Sequence, residues 1–147
     1  CVLRDGESLG SERVMARVGP SLVPGLHAQW EAGFGPGANL GMRPDTEMAD
    51  AFNTYIQEYA EANGTASDRL YLDAHRGHMV FLKPEEKQFV TQEAISRTLT
   101  GTGPEIIEKL EEMEANGVDN VAISVTDAEG ARDLIQDFGR EVIAKRR

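Results

Sequence analysis

The sequence predicts an α/β fold built on a parallel sheet, of which these residues form a portion. Three observations carry that expectation. Gly101-Thr102-Gly103-Pro104-Glu105 starts a helix, Ala115-Asn116-Gly117-Val118-Asp119 stops it, and the nearly all-apolar run Val121-Ala122-Ile123-Ser124-Val125 suits a strand buried on both faces. Cys1-Val2-Leu3 reads as the last residues of another strand, entering the polar turn Arg4-Asp5-Gly6-Glu7 with no initiator methionine before it, so that strand is expected to begin upstream. Other strand candidates are scarce, although parallel strands need neighbours on both edges and helices on both faces.

Taken in order, residues 8 to 31 are expected to be helical. Val14, Val18, Leu22, Leu26 and Trp30 recur every four positions, Ser8 or Ser11 is available as N-cap, and Gly19-Pro20 and Pro24 predict a kink or a two-piece helix. The glycine- and proline-rich run from Gly33 to Pro44 predicts a loop, of a length that suits a lid, a binding segment or a disordered connection. A second helix is expected from Asp45 to Asn63-Gly64, with Met48, Phe52, Tyr55, Ile56 and Tyr59 on one side as core. Residues 67 to 82 read as irregular or short helical structure around two histidines, and Pro84-Glu85-Glu86 as a further turn. Thr91 to Leu99 reads as a short helix. Thr102 and Glu105 then form a capping box, with Ile106, Ile107, Leu110 and Met113 as the buried stripe and Glu108, Lys109, Glu111, Glu112 and Glu114 as a solvated face. Thr126 or Asp127 is expected to cap a last helix carrying Ala131, Leu134, Ile135, Phe138 and Val142 on one face.

The 147 residues fall in the single-domain range, and the formal net charge of -10 disfavours nucleic acid or an anionic membrane surface as partner. Lys145-Arg146-Arg147 suits the C-terminal end of a helix. The single cysteine, Cys1, excludes an internal disulfide framework and suits a reducing cytoplasm. No run has the roughly 18 apolar residues of a membrane span, and none resembles a signal peptide.

Chemistry concentrates in Asp73-Ala74-His75-Arg76-Gly77-His78, with His27 far upstream. Three readings stay open. His75, His78 and Asp73 could bind a metal, but no Glu lies between the histidines and spacing places no further ligand, so no metal is assigned. The imidazoles could instead bond backbone carbonyls, or line a substrate pocket where a pKa near neutrality suits proton transfer. Gly101-x-Gly103 at a helix start could cradle a phosphate, but Glu105 opposes an anion there, the fuller dinucleotide and P-loop patterns are absent, and capping alone explains the motif.

The order of these signals resembles the C-terminal part of luciferase-like, flavin-dependent monooxygenases and their deazaflavin-dependent relatives. The residues that carry it are Val2 to Glu7, His75-Arg76-Gly77-His78, and above all Leu99-Thr100-Gly101-Thr102-Gly103-Pro104-Glu105 with Gly117-Val118-Asp119-Asn120-Val121. The family has a Gly-Thr-Pro-Glu-like turn and an Ala-Gly-Val-Asp-like turn here; Gly103 intrudes in the first and Asn116 replaces the alanine of the second. The resemblance implies the C-terminal part of a (β/α)8 TIM barrel, a fold of about 250 residues, with a mainly helical insertion between its last two strands. On it, 1–3 ends strand 7, 8–98 is the insertion, 103–116 a helix, 121–125 strand 8 and 127–144 the terminal helix.

The same resemblance implies an oxidoreductase or monooxygenase acting on a small organic substrate with FMN, or alternatively a deazaflavin coenzyme. His75 and His78 would be substrate-side hydrogen bonders or proton donors. Arg4 and Ser124, at strand ends, would approach the cofactor, most of whose phosphate contacts lie upstream, so this piece alone would be inactive. Its partners would be the substrate and the remainder of its own barrel, with no nucleic acid or membrane; a homodimer is compatible. Two rival expectations are an αβ interaction module whose acidic helices bind a partner protein, and a small metal-dependent hydrolase built on Asp73, His75 and His78.

Overall fold

The structure, a computed structural model, describes residues 1–34, 46–125 and 128–146. The chain divides into two compact units, Cys1–Gly19 with Val90–Arg147, and Pro20–Phe89. Among the described residues six α-helices run in order: α1 (Glu12–Phe34), α2 (Thr46–Asn63), α3 (Leu70–Ala74), α4 (Gln92–Ser96), α5 (Gly103–Ala115) and α6 (Ala128–Phe138). Turns of 3-10 helix at Ser67–Arg69 and Pro84–Phe89 and a π-helical turn at Gly139–Ile143 complete them.

The class is all-helical, which corrects the α/β expectation. The structure is 66% helical and the described residues contain no strand, so no portion of a (β/α)8 TIM barrel is present. Residues 1–3 make one parallel bridge, Val2 to Gly101, with Leu3 N–H donating to the Gly101 carbonyl at 2.8 Å. Residues 121–125 belong to no ladder, and Val121, Ile123 and Val125 are 45%, 46% and 39% exposed. An apolar run becomes a strand only when another strand pairs with its backbone, and composition cannot supply that partner.

In the first unit, Ser11 caps α1 through the Val14 N–H at 3.3 Å. Val2, Ile106 and Val142 form the core, with Leu99, Ile107, Leu110 and Phe138 packed on it. The capping box of α5 is closed: Thr102 N–H donates to Glu105 Oε2 at 2.7 Å, and Glu105 N–H reaches Thr102 Oγ1 at 3.5 Å. Asn116-Gly117 ends that helix, Gly117 taking the left-handed φ of 87°. Lys109, expected on a solvated face, instead donates to the carbonyls of Ser96, Thr98 and Thr100, each at 2.9 Å, and so satisfies the acceptors left open after α4. The N-cap expected at Thr126 or Asp127 lies outside the described residues, as does the predicted loop from 35 onward.

Two local constraints hold this unit. A side chain at Gly103 would place its Cβ 2.6 Å from the Glu141 carbonyl oxygen, so α5 and the π-helical turn meet backbone to backbone there. Arg13 holds Glu7 by a two-pronged ion pair, Nε to Oε1 at 2.9 Å and Nη2 to Oε2, while Nη2 also donates to the Val2 carbonyl at 2.8 Å. The hydrogen bonds from Arg13 are the chief reason that the Glu7 carboxyl is held at about 2.

In the second unit, the stripe predicted on α2 is the core. Trp30, Phe52, Tyr55, Ile56, Ala74 and Phe89 are buried together, with Leu26, Met48, Tyr59 and Leu70 around them. Phe52 meets Tyr55 and Phe89 with ring centroids 5.3 Å apart in each pair, and Trp30 Nε1–H donates to Asn53 Oδ1 at 3.0 Å. α1 continues through Pro20 and Pro24, where a kink or a break was expected.

Gly103→Ala is expected to lower stability by about 1–3 kcal/mol, because a backbone oxygen cannot yield as a side chain would; the urea midpoint reads it. Glu7 has a depressed folded pKa, so its contribution is present above about 4.5 and is lost as pH falls toward about 2. Glu7→Gln should therefore cost on the order of 2 kcal/mol at pH 7 and flatten the decline of stability below pH 5, as measured by denaturation at a series of pH values.

Candidate functional site

The second unit brings His27, His75 and His78 together, and one ring nitrogen from each lies within 4.8 Å of the others. His27 rides on α1 one helical turn from Val23 and Trp30, on the buried face of the helix, and is 1% exposed. His75 follows the last residue of α3. The backbone then turns through Gly77 at φ 79°, and His78 N–H donates to the His75 carbonyl at 3.0 Å. This turn, rather than a helix face, aims the two histidines three residues apart at one point.

The contacts are specific. His78 Nδ1 lies 3.2 Å from His27 Nδ1 and 3.0 Å from His75 Nδ1. The outer nitrogen of each of those two rings meets a carboxylate: His27 Nε2 is 3.1 Å from Glu86 Oε1, and His75 Nε2 is 2.8 Å from Glu31 Oε1. Glu31 stands one turn beyond His27 on α1. Lys83 Nζ lies 2.9 Å from Glu86 Oε1 and also donates to the carbonyls of Asp73 and Ala74, at 2.7 and 3.1 Å. Lys83 and Glu86 are buried.

Electrostatics follow from these partners. Burial alone would raise the Glu86 carboxyl, but the hydrogen bonds from His27 and Lys83, with their charges, bring it below the usual carboxylate range. Glu86 is therefore ionised and accepts the His27 Nε2–H. Shielding of its inward edge, and then the neighbouring His27 and His75, hold His78 below the ordinary histidine range. With the outer nitrogens of His27 and His75 meeting carboxylates, the Nδ1 atoms of both rings face His78 Nδ1. The three inward nitrogens thus form one edge able to meet a proton, a polar substrate atom or a metal.

The two histidines chosen from sequence, His75 and His78, are both in this cluster. Asp73 is not: its carboxylate stands outside the group, and its Oδ2 is buried with no hydrogen-bond partner. Sequence reasoning missed Glu31, Lys83 and Glu86 and left His27 unplaced. The signals were present in the His27 to Glu31 spacing of one helical turn and in the Lys83 to Glu86 spacing of three.

Arg4 and Ser124, the proposed cofactor contacts, do not meet. Arg4 pairs with Asp133 at 3.2 Å and Asp137 at 3.7 Å, whereas Ser124 lies on the exposed run 121–125. A cavity of about 580 Å³ in the first unit is lined by residues 2–7 and 102–104 with Asp137, Arg140, Glu141 and Lys145. Its cations are already paired, Arg140 to Asp137 at 2.8 Å and Lys145 to Glu141 at 2.5 Å, and Glu105 takes the Thr102 N–H. Four carboxylates, of Asp5, Glu7, Asp137 and Glu141, line it against three cations. It does not fit the phosphate of a flavin or deazaflavin, and neither Arg4 nor Ser124 is assigned to one.

Glu86→Leu is expected to cost about 3–5 kcal/mol, because Lys83 would stay buried without a counter-charge; the double variant Lys83→Met, Glu86→Leu should recover only part of that loss in chemical denaturation, since the Asp73 and Ala74 carbonyls and His27 Nε2 then lose their partners.

No helix among the described residues is long and apolar enough to cross a membrane. Compared with known proteins, the chain matches no family model, no curated protein and no solved structure.

Proposed function

We propose that the chain serves the substrate side of an oxidoreductase with luciferase-like chemistry, acting on a small organic molecule with a flavin or a deazaflavin. The proposal keeps the chemistry of the sequence resemblance and not its barrel. Because the first-unit cavity does not fit a cofactor phosphate, these residues are assigned to the substrate and not to the cofactor. One observation carries the reading: His75 and His78, the pair that the resemblance puts at the substrate, converge with His27 on an edge backed by two carboxylates.

The chemistry of that edge is proton handling. Glu31 holds the His75 ring in place at 2.8 Å, so that the imidazole edge can pass a proton to a substrate oxygen that gains negative charge. His78 is exposed and reaches solvent, from which the proton is replaced. Leu72, Met79, Val80 and Phe81, all in or beside the same turn and all exposed, offer apolar surface for the rest of a small substrate.

The complete gene product, titrated with reduced FMN and with a reduced deazaflavin, is expected to bind one of them. His75→Ala and His78→Ala should leave that binding within about twofold and lower turnover by roughly 10²-fold or more. Binding of neither cofactor, or variants that turn over normally, would sink the proposal.

A further inference from the structure

We propose that His27, His75 and His78 form a three-nitrogen site for a divalent first-row transition metal, with zinc the best fit and a fourth position open to solvent. Independent of the oxidoreductase reading, the inference rests on the geometry of the second unit alone.

Distance is the first ground. Zinc holds imidazole nitrogen at about 2.0–2.1 Å, and a tetrahedral centre then sets its ligand nitrogens about 3.3 Å apart. The His78 Nδ1 contacts, 3.0 Å to His75 and 3.2 Å to His27, are close to that edge length. Convergence is the second. One ring nitrogen from each of the three histidines lies within 4.8 Å of the others, so a single ion can be reached by all three.

The surrounding shell is the third ground. Metal-bound histidines usually donate their other ring N–H to a carboxylate, which fixes the tautomer and raises the basicity of the ligating nitrogen. His27 does so to Glu86 and His75 to Glu31. Donor type then selects the metal, since three imidazoles without a thiolate or an inward carboxylate suit zinc, copper, nickel or cobalt and not magnesium or calcium. Burial grades from His27 through His75 to the exposed His78, so the site is closed on one side and open on the other. Three protein ligands with an open position mark a site that takes an oxygen ligand, either water or a substrate oxygen. With metal bound, the cluster presents a Lewis acid to that oxygen in place of an N–H donor.

The whole chain, freed of metal by a chelator and checked for its helical circular dichroism, is titrated with zinc in competition with a chromogenic chelator. Cobalt(II) is titrated separately and followed by its visible absorption. The expected result is one equivalent of zinc and the intense bands of four-coordinate cobalt. His78→Ala, which removes an exposed ligand, should abolish stoichiometric binding. Glu31→Gln keeps all three ligands and should weaken zinc roughly 10- to 100-fold, so it decides the matter if His78→Ala does not fold. Substoichiometric zinc in the unaltered chain, or one equivalent bound with unchanged affinity in both variants, overturns the site. Neither readout uses a flavin, so loss of the oxidoreductase reading leaves this result standing.

Discussion

A carboxylate buried among aromatic rings stays ionised only if donors meet it at hydrogen-bonding distance, and the second unit is arranged around that requirement at Glu86. Lys83 and His27 supply the donors. Lys83 also holds the carbonyls of Asp73 and Ala74 at the end of α3, so one ammonium group both neutralises the carboxylate and braces the point where α3 stops. The turn that carries His75 and His78 starts at that stop. The histidine edge therefore depends on a buried charge pair that touches only one of its three rings.

The first unit solves a different problem with similar means. Cys1 to Glu7 has a single bridge to Gly101 and one core residue, Val2, and Arg13 ties it down by holding Glu7 and the Val2 carbonyl together. Lys109 does the same for the segment after α4 by gathering three carbonyls. In both places a long cationic side chain substitutes for the hydrogen bonds that a sheet would have provided.

Much of the local structure was legible because its causes are local. The capping box at Thr102 and Glu105, the left-handed stop at Gly117 and the aromatic stripe of α2 depend on residues within a few turns of one another, and each stands in the structure as expected. The all-apolar run 121–125 misled because strand formation depends on a partner elsewhere in the chain. Lys109 was placed on a solvated face because helical periodicity does not show which exposed cation will find open carbonyls. Two of the three histidines were legible together, since His75 and His78 are neighbours in sequence; His27 and Glu31 join them across 51 and 44 residues, and Glu86 meets His27 across 59, separations that spacing cannot reveal. Gly103, an intrusion when set against the family turn, has its reason in the Glu141 backbone that crosses beside it.

The uncovered row of Val118, Val121, Ile123 and Val125 bears on how the protein behaves as a colloid. A short segment rich in β-branched residues, without proline and outside any ladder, is the kind that stacks onto copies of itself. At neutral pH the net charge of -10 keeps molecules apart. Near the isoelectric point of about 4.7 that repulsion disappears while the row stays sticky. Mild acidity thus removes the charge that opposes self-association over the same range in which the Glu7 contribution starts to fall, so the two effects act together.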